Sequence, residues 1–445
     1  MKPLREITYA ADDAQVVMLV GNTCVNDTRV LKEAQSLQLA GYRVTVLCDS
    51  DYGRLDHAEQ DGVSLRRVDL SLLRSLPAWL QRVMGGLRAR RVRAQARATS
   101  DAVTAPASVV PRASSRVTEY APVAAVLKLL RHRAIKRAAL RSLSAMRADV
   151  VHAHDLETLP AAVALARRWG AQLVYDAHEL ERHRVGLRAI ERAVLGWVEA
   201  RHITRAARVI TVCDSIAAHL ARVYAIQLPA VVLNSPNLAE QRRAPQALRA
   251  VLGLSADVPL AVYIGRLAPQ RGVEQVLPVL AQWSELHLVC VGSCDEVFAQ
   301  GVRREAAQRG VEARLHLLAP VPPFEVVDFI GSADLAVVLI QDACLSYRYA
   351  LPNKLFEASF AGLPVVASDL PEQRRFVEQA GNGVLVKGAD TDAIAHGMRD
   401  VYRRRQQLRL DPVRLAALAD TYAWPAQSSK LLAVYAELLA LRHAP

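Results

Sequence analysis

The sequence predicts an α/β protein of two similar-sized domains, each built on a parallel sheet. Short apolar runs typical of buried strands alternate with helical patterns along the chain. This alternation stops in a polar, Pro-containing stretch at 235–257 and starts again at 258. The length of 445 residues allows two or three domains. We therefore predict a first domain over 1–234, a linker over 235–257, a second domain over 258–423 and a terminal helix over 424–445.

The first domain opens with a βαβ pattern. QVVMLV (15–20) predicts a strand, residues 28–40 a helix, and YRVTVLC (42–48) the next strand. Ligands of such folds bind in the loop after the first strand. Asn22 and Arg29 are candidates there, although a surface or interdomain salt bridge explains Arg29 equally well.

One segment carries the basic charge of the whole chain. The net charge is +12, and residues 74–147 contain 16 Lys and Arg against two Asp and Glu. The segment is thus +14 and the remainder −2. Residues 77–98 and 120–148 predict helices with an apolar stripe and an Arg-rich face, which suit an anionic membrane surface. The alternatives are a solvated face on a packed helix and an acidic polymer partner; no recognition motif supports nucleic acid.

Two histidines and an aspartate follow one another in VVHAHD. His152 and His154 alternate along a predicted strand, so they face the same way. A metal site would need further ligands, and none is visible in the sequence. Capping of the following helix by Asp155 is the favoured interpretation. We expect no metal.

The remaining composition indicates a protein of the cytoplasm. The six Cys residues form no C-x-x-C pair and several lie in apolar runs, which indicates thiols in a reducing compartment. No run of eighteen apolar residues is present, and the first fifteen residues have no apolar signal-peptide core.

The stretch LPNKLFEASFAGLPVV (351–366) predicts a loop, a helix and a buried strand. Pro352 suits the first helical position, and Asn353 and Lys354 then lie in the first turn, where free amides and the helix dipole bind anions. Glu357 lies one turn further on the same face. Phosphates at the amides and Lys354, with ribose hydroxyls at Glu357, would fit a nucleotide. A capping Asn and a surface Lys are the alternative.

The loop GRLAPQRG offers a second anion site. Gly265 ends a predicted strand and lets a ligand approach the backbone, while Arg266 and Arg271 suit bidentate phosphate contacts. Both Arg residues with Lys354 would neutralise a diphosphate without a metal; surface positions in a turn are the alternative. The absence of a Walker loop and of G-x-G-x-x-G disfavours a kinase and a dehydrogenase. A hydrolase is disfavoured because no nucleophile elbow is present.

Taken together, these motifs resemble the group-1 (family 4) GT-B glycosyltransferases. The segments that carry the resemblance are NDTRVLKEAQSLQLAGYRVTVL, DVVHAHDLETLP, LVYDAHELE, YIGRLAPQRGVEQVL and LPNKLFEASFAGLPVVASDLPE. The resemblance implies two Rossmann-like α/β/α domains facing across a cleft, with the C-terminal helix crossing back to the first domain. It implies transfer of a sugar from a nucleotide-diphosphate donor.

The resemblance also assigns roles to residues. It implies Arg266 and Arg271 at the diphosphate, His178 at the transferred sugar, and Glu357 at the ribose. The other expected donor contacts are Gly21 and Asn22, near the phosphate and the acceptor, and Gly265, Asn353 and Lys354, in the second domain.

The chain departs from the family pattern at two positions. Arg271 stands where the family often has Lys, which preserves charge but not geometry. The family has two glutamates eight positions apart; the second matches Glu357, and the first falls on Tyr349. A carboxylate that usually lies near the sugar hydroxyls is therefore missing or supplied elsewhere.

The expected function is a retaining, metal-independent, hexosyltransferase-type enzyme that needs no cofactor beyond its nucleotide-sugar co-substrate. Its expected acceptor is a lipid-linked glycan or a polysaccharide at the inner membrane face. A nucleotide-sugar epimerase or phosphorylase on the same fold, and a catalytically silent nucleotide-sugar-binding scaffold, are the alternatives. The nucleotide, the sugar and the acceptor stay open.

Overall fold

A computed structural model describes residues 13–25, 27–50, 56–60, 62–70, 121–387 and 390–442. The helix expected at 77–98, with most of the basic segment, lies outside these residues. The chain divides into two compact units. The first runs to Ala177 and includes Gly186–Val209; the second comprises His178–Val185 and the chain from Ile210 onward. These units are defined by contacts between residues, whereas the predicted domain bounds follow the sequence pattern, so those bounds stay a prediction.

The first sheet has the strand order β3-β4-β2-β1-β5-β6-β7-β8. Its strands are β1 Gln15–Leu19, β2 Arg43–Asp49, β3 His57–Gln60, β4 Val63–Val68, β5 Val150–His154, β6 Gln172–Ala177, β7 Arg208–Thr211 and β8 Ala230–Val231. The central strand β1 pairs in parallel with β2 and β5, with Val16 opposite Val44 and Val150. Strand β3 runs antiparallel to β4. The parallel βαβ opening predicted from the sequence is confirmed.

Four described helices belong to the first unit: α1 Thr28–Leu39, α2 Ala121–Ser142, α3 Asp155–Trp169 and α4 Ala189–Ile203. The Asp27 carboxylate caps α1 by accepting from the Val30 amide. Helix α3 is capped differently from our expectation. His154 holds the N-cap position and Asp155 lies inside the first turn with φ +60°, so the predicted capping by Asp155 is wrong. The Thr158 hydroxyl instead donates to the His154 carbonyl at 2.7 Å.

The second sheet has the strand order β11-β10-β9-β12-β13-β14, and its described ladders are all parallel. Its strands are β9 Leu260–Ile264, β10 His287–Val291, β11 Leu315–Leu318, β12 Leu335–Val338, β13 Val365–Ser368 and β14 Gly383–Val386. The central strands are buried along their whole length, as parallel strands covered on both faces should be. The carboxyl ends of β9 and β10 therefore meet at one edge.

The described α-helices of the second unit range from 4 to 19 residues in length. They are α5 Asp214–Tyr224, α6 Leu248–Leu252, α7 Val273–Gln282, α8 Glu296–Gln308, α9 Val326–Ile330, α10 Leu345–Arg348, α11 Asn353–Phe360, α12 Pro371–Ala380, α13 Thr391–Arg403, α14 Arg405–Leu408, α15 Pro412–Tyr422 and α16 Trp424–Arg442. The sequence predicted Pro352 as the first helical residue of α11. In the structure Pro352 is instead the N-cap, because its ψ of 145° is extended.

The last helix is tied into the second unit at its start. The Trp424 amide donates to the Pro236 carbonyl at 3.0 Å, and the Leu233 amide donates to the Gln427 side chain at 3.2 Å. Within the described residues, every helix is too short or too polar to cross a membrane. Two parallel-sheet α/β domains with a helical C-terminal end confirm the predicted fold class.

Candidate donor site in the second unit

The loop between β9 and α7 has glycines at both ends, which leave its backbone accessible to close approach by other groups. Gly265 follows β9 with φ +94°, a conformation that favours glycine, and its amide donates to the Val291 carbonyl at 2.9 Å. The loop ends at Gly272, whose φ is +106°. A Cβ at Gly272 would come within 2.7 Å of the Leu339 carbonyl oxygen. Both glycines are therefore required by the backbone, and the loop lies tightly against the ends of β9 and β12.

The two predicted arginines of this loop differ in exposure. Arg266 is exposed, and its carbonyl accepts from the Tyr263 hydroxyl at 2.8 Å. Arg271 is half-buried, and its Nε donates to the Tyr347 hydroxyl at 3.4 Å. Tyr347, on α10, thus holds the Arg271 guanidinium near the loop, whereas the Arg266 side chain extends into solvent.

Helix α11 starts beside this loop. Its first residues, Asn353 and Lys354, have backbone amides that no preceding turn can satisfy. Phe356 holds the helix in place through an edge-to-face contact with Phe376, with ring centroids 5.1 Å apart. Glu357 lies one turn further, half-buried. The helix is therefore fixed by its buried face while its first turn stays available.

Lys354 does not extend to solvent as a surface lysine would. It is 7% exposed, and its Nζ lies 3.5 Å from the centroid of the Tyr263 ring. Its Cε lies 3.9 Å from the position that a Cβ on Gly265 would take. Within the described residues its Nζ has no hydrogen-bond partner. Burial, and then the positive charge of Arg271, lower the Lys354 pKa well below its usual 10.5, and Glu357 opposes them.

Two cavities adjoin the loop at the carboxyl edge of the sheet. A cavity of about 340 Å³ follows the ends of β10 and β11 and is lined by Cys290, Gly292, Ser293 and residues 317–320. A second, of about 560 Å³, lies between Arg266 and α8. Its lining includes the carboxylates Glu274, Asp295 and Glu305. The lining of the smaller cavity includes one carboxylate, Glu296, together with Arg303, so this cavity presents less negative charge to an anionic ligand than the larger one does.

The predicted residue His178 lies half-buried in a loop that belongs to the second unit. Its neighbour Glu179 ties this loop to α10. The Ser346 hydroxyl donates to Glu179 Oε2 at 3.2 Å, and Arg184 Nε lies 3.3 Å from Glu179 Oε1. The loop bearing His178 is thereby fixed to the helix that precedes Tyr349.

Tyr349, at the position where a glutamate was expected, ends α10. Its carbonyl accepts from the Cys213 thiol at 3.1 Å, and its ring centroid lies 6.3 Å from that of His219. Burial foremost, and then His183, lower the pKa of His219 to about 4, which keeps this imidazole neutral. Residues of α10 bind two carboxylates: Ser346 donates to Glu179, and Arg348 donates to Asp342 at 2.8 Å.

The predicted loop residues Gly21 and Asn22 lie in the first unit. The Gly21 carbonyl accepts from Arg131 of α2 at 3.1 Å. The Asn22 side chain accepts from the Cys24 amide and donates to Asp27, both at 2.8 Å. Asn22 therefore shapes its own loop, and its donor contact stays a prediction.

A buried charge network that the sequence did not reveal surrounds the two histidines of the first unit. Arg29 donates to both oxygens of Asp176 at 2.8 Å, and its Nε lies 3.0 Å from Glu33. His152 and His154 stack with ring centroids 4.3 Å apart and planes 15° apart. The like orientation of the histidines was predictable from the strand; the acidic partners were not, because they come from α1 and β6.

This network has the residue types of a metal site, since one ligand atom of each of Glu33, His152, His154 and Asp176 lies within 4.8 Å of the others. Its geometry favours a structural role. A metal binds imidazole nitrogen in the ring plane at about 2.0–2.1 Å, and two nearly parallel stacked rings cannot share such a point. Both carboxylates are also bound to Arg29.

The structure thus brings Gly265, Arg271, Lys354 and Glu357 together, with Asn353 beside them and Arg266 on the same loop. Sequence reasoning missed Tyr263 and Tyr347, the aromatic partners of Lys354 and Arg271. Tyr263 was recognisable as the one polar-tipped residue in the apolar strand VPLAVYIG.

Comparisons with known families agree with this architecture. Residues 246–414 match the model described as glycosyl transferases group 1, and residues 27–237 match the glycosyl transferase 4-like domain. The D-inositol 3-phosphate glycosyltransferase of Thermobispora bispora is 28% identical over 328 residues, covering 67% of this chain and 72% of the relative. The protein of the same name from Nocardia farcinica is 25% identical, covering 65% and 67%.

Solved structures share the fold at low identity. Sucrose-phosphate synthase of Thermosynechococcus elongatus has a TM-score of 0.72 at 18% identity, covering 96% of this chain and all of that chain. Anabaena HepE, in complex with UDP-glucose, has a TM-score of 0.65 at 15% identity, covering 95% of this chain and all of that chain. These likenesses establish the fold alone.

Proposed function

The chain belongs to the group-1 glycosyltransferases, and on that premise we propose that its second unit binds the diphosphate of a nucleotide-sugar donor between Gly265 and the start of α11. The observation that carries this proposal is Lys354. A buried amine without a hydrogen-bond partner among the described residues is costly, so such a group is retained where a ligand supplies the partner. An anion at the Gly265 backbone and the α11 amides would be that ligand.

The surrounding residues fit the rest of a nucleotide. Arg271 lies close enough to lower the Lys354 pKa, so the two cations serve one anionic group. Arg266 extends from the same loop and can bind the outer phosphate oxygens. The Glu357 carboxylate can accept hydrogen bonds from ribose hydroxyls, and the cavity of about 340 Å³ can hold the base.

The chemistry follows from the placement of charge. When the bond between the sugar and the diphosphate breaks, negative charge grows on the leaving phosphate. Arg266, Arg271, Lys354 and the amides at the start of α11 are positive groups already in place to stabilise it, so we propose a reaction without a metal cofactor. We propose retention of anomeric configuration and a role for His178 at the sugar.

Glu179 is a candidate substitute for the carboxylate missing at Tyr349. Glu179 is half-buried and held against α10 by Ser346 and Arg184. We propose that Glu179, instead of a residue at 349, accepts from hydroxyls of the transferred sugar.

A membrane-associated glycan is the acceptor class that the first unit supports best. One face of α2 exposes Val123 by 52% and Val126 by 53%, and Arg133, Arg137 and Arg141 follow on that face. Trp197 of the neighbouring α4 is 60% exposed. Apolar groups beside arginines suit an anionic lipid surface, and we propose that the enzyme works on a lipid-linked or polysaccharide acceptor at the cytoplasmic membrane face.

The donor proposal is tested by binding and turnover of UDP-glucose and GDP-mannose with the full chain. We expect one of them to bind, and Arg266→Ala and Glu357→Ala to weaken that binding about tenfold each. Arg304→Ala, an exposed arginine of α8 that lines neither cavity, is the control and should leave binding unchanged. Failure of every nucleotide sugar to bind contradicts the proposal. Binding without transfer to any glycan would indicate the scaffold alternative.

The membrane proposal is tested by flotation with vesicles of neutral or anionic lipid. We expect binding to anionic vesicles that falls when Arg133, Arg137 and Arg141 are together replaced by Gln. A triple replacement of exposed arginines in the second unit, Arg303, Arg304 and Arg309, is the matched control. Equal flotation of both variants contradicts a membrane role for α2.

A further inference from the structure

Lys354 is surrounded by groups from each element that packs on it. Tyr263 of β9 presents its ring, Cys290 of β10 a thiol, Arg271 a guanidinium, and Glu357 a carboxylate one turn along α11. Burial raises the pKa values of Tyr263 and Cys290, so both are neutral near pH 7. The fixed charges that face the amine are therefore one cation and one half-exposed anion.

These surroundings favour an uncharged amine when no anion is bound. The Tyr263 ring offers an ammonium an attractive face but no hydrogen-bond acceptor, and Arg271 repels it. Glu357 alone attracts it, and that carboxylate is half-exposed, so its effect is screened. Burial removes the water that would otherwise solvate three N–H donors.

A bound diphosphate reverses this balance. It brings two negative charges and several acceptor oxygens to the Gly265 backbone. Lys354 is close to that backbone, since its Cε lies 3.9 Å from the position that a Cβ on Gly265 would take. In a buried site such a charge strongly favours the ammonium form. The same side chain would then be neutral in the unliganded protein and charged in the complex.

We propose that Lys354 takes up one proton when the donor binds, so that it discriminates for a diphosphate over ligands with less charge at this position. This inference rests on the proposed function. The solvent or buffer acid gives up a proton, the Nζ lone pair forms the new N–H bond, and the conjugate base stays in solution. When the nucleoside diphosphate leaves after transfer, the proton returns to solvent.

The consequence for affinity has a definite sign. Binding that takes up a proton weakens as pH rises, by at most about tenfold per pH unit for one proton. The decline begins where the unliganded lysine loses its proton, which lies well below 10.5. A lysine that was always charged would give no such decline near neutral pH.

The experiment is calorimetric titration of the full chain with UDP-glucose and GDP-mannose, whose diphosphates carry no proton that titrates near neutral pH. Repeating each titration in buffers of low and high ionisation enthalpy, between about pH 7 and 9, gives the number of protons taken up. We expect uptake that approaches one proton as pH rises, and none in Lys354→Arg, which cannot lose its charge. Lys354→Met should also take up none and bind more weakly.

Lys430→Met is the matched control. Lys430 is an exposed lysine of the same unit whose amine donates to Gln427 at 3.3 Å, and its replacement should leave affinity and proton uptake unchanged. Tight binding without proton uptake, or unchanged uptake in both Lys354 variants, overturns the inference and leaves the donor site standing. Absence of binding by either nucleotide sugar overturns the proposed function and this inference with it.

Discussion

Among the described residues, each unit buries one Arg or Lys side chain, and the two side chains differ in their partners. Arg29 of the first unit is 2% exposed and bound to Asp176 and Glu33. Lys354 of the second is 7% exposed and faces an aromatic ring, with no hydrogen-bond partner within the described part of the chain. A buried cation with carboxylate partners is part of the structure, whereas one without them indicates where a ligand binds.

The largest expected effect is on the partnered cation. Asp176→Asn removes the charge that accepts two bonds from Arg29, and we expect it to destabilise the protein by about 3–5 kcal/mol, as loss of one partner of a buried pair does. Urea denaturation of the full chain measures this. Asp13→Asn, which breaks an exposed pair with Arg43, should leave the denaturation curve unchanged. Similar small shifts for both variants would contradict a structural role for the network.

A smaller loss is expected when the charge of Arg29 is kept and its geometry is changed. Arg29→Lys can pair with Asp176 but cannot donate to both of its oxygens in parallel, so we expect a loss of about 2 kcal/mol. Thermal unfolding gives the comparison with Asp176→Asn. Full retention of stability would show that charge alone matters in this network.

The unpartnered cation should respond with the opposite sign. Lys354→Met replaces a buried amine with an apolar chain of similar length, and we expect the unliganded protein to gain about 1–2 kcal/mol. The gain should shrink as pH rises. The unfolded lysine holds its proton up to about pH 10.5 while the folded one loses it earlier, so wild-type stability increases with pH from the lowered pKa up to about 10.5. Thermal shift at several pH values measures this, and a destabilised Lys354→Met would contradict it.

The smallest expected effect is a change in nucleotide-sugar affinity when a methyl group is added at Gly265, beside Lys354. Gly265→Ala and Gly253→Ala both place a side chain at positive φ, +94° and +64°, at a cost of about 1–2 kcal/mol each. Only the first methyl would contact Lys354, at 3.9 Å, whereas the second has no atom within 4 Å. We therefore expect Gly265→Ala alone to weaken nucleotide-sugar binding. Equal nucleotide-sugar affinities for the two variants would show that the diphosphate does not bind at Gly265.

The sequence allowed the fold and much of the second-unit site to be predicted, because local patterns determine both. The strand before Gly265 and the helix between Pro352 and Gly362 are predicted from apolar runs and from those two residues, and the structure confirms both elements, with the helix beginning one residue after Pro352. The anion-binding role of Lys354 was predicted from its place in the first turn. Its burial was not, since that depends on Tyr263, which lies ninety-one positions earlier in the chain.

The first-unit network shows the same limit more strongly. From the sequence, Arg29 could serve as a ligand contact or form a salt bridge. The structure shows a salt bridge to Asp176, and this carboxylate is placed by the pairing of β5 with β6, which sets Asp176 beside His154. A strand pattern predicts which side chains share a face, but not which side chains from other elements meet them. The cap of α3 was misassigned for a local reason, because the helix begins one residue earlier than expected, at Asp155.

The affinity of Lys354→Met for a nucleotide sugar is the decisive measurement for the diphosphate site. We expect this variant to be more stable than the wild type without ligand and yet to bind UDP-glucose or GDP-mannose at least about tenfold more weakly, measured by calorimetric titration at pH 7. Wild-type affinity in a folded Lys354→Met would show that the buried lysine does not bind the diphosphate.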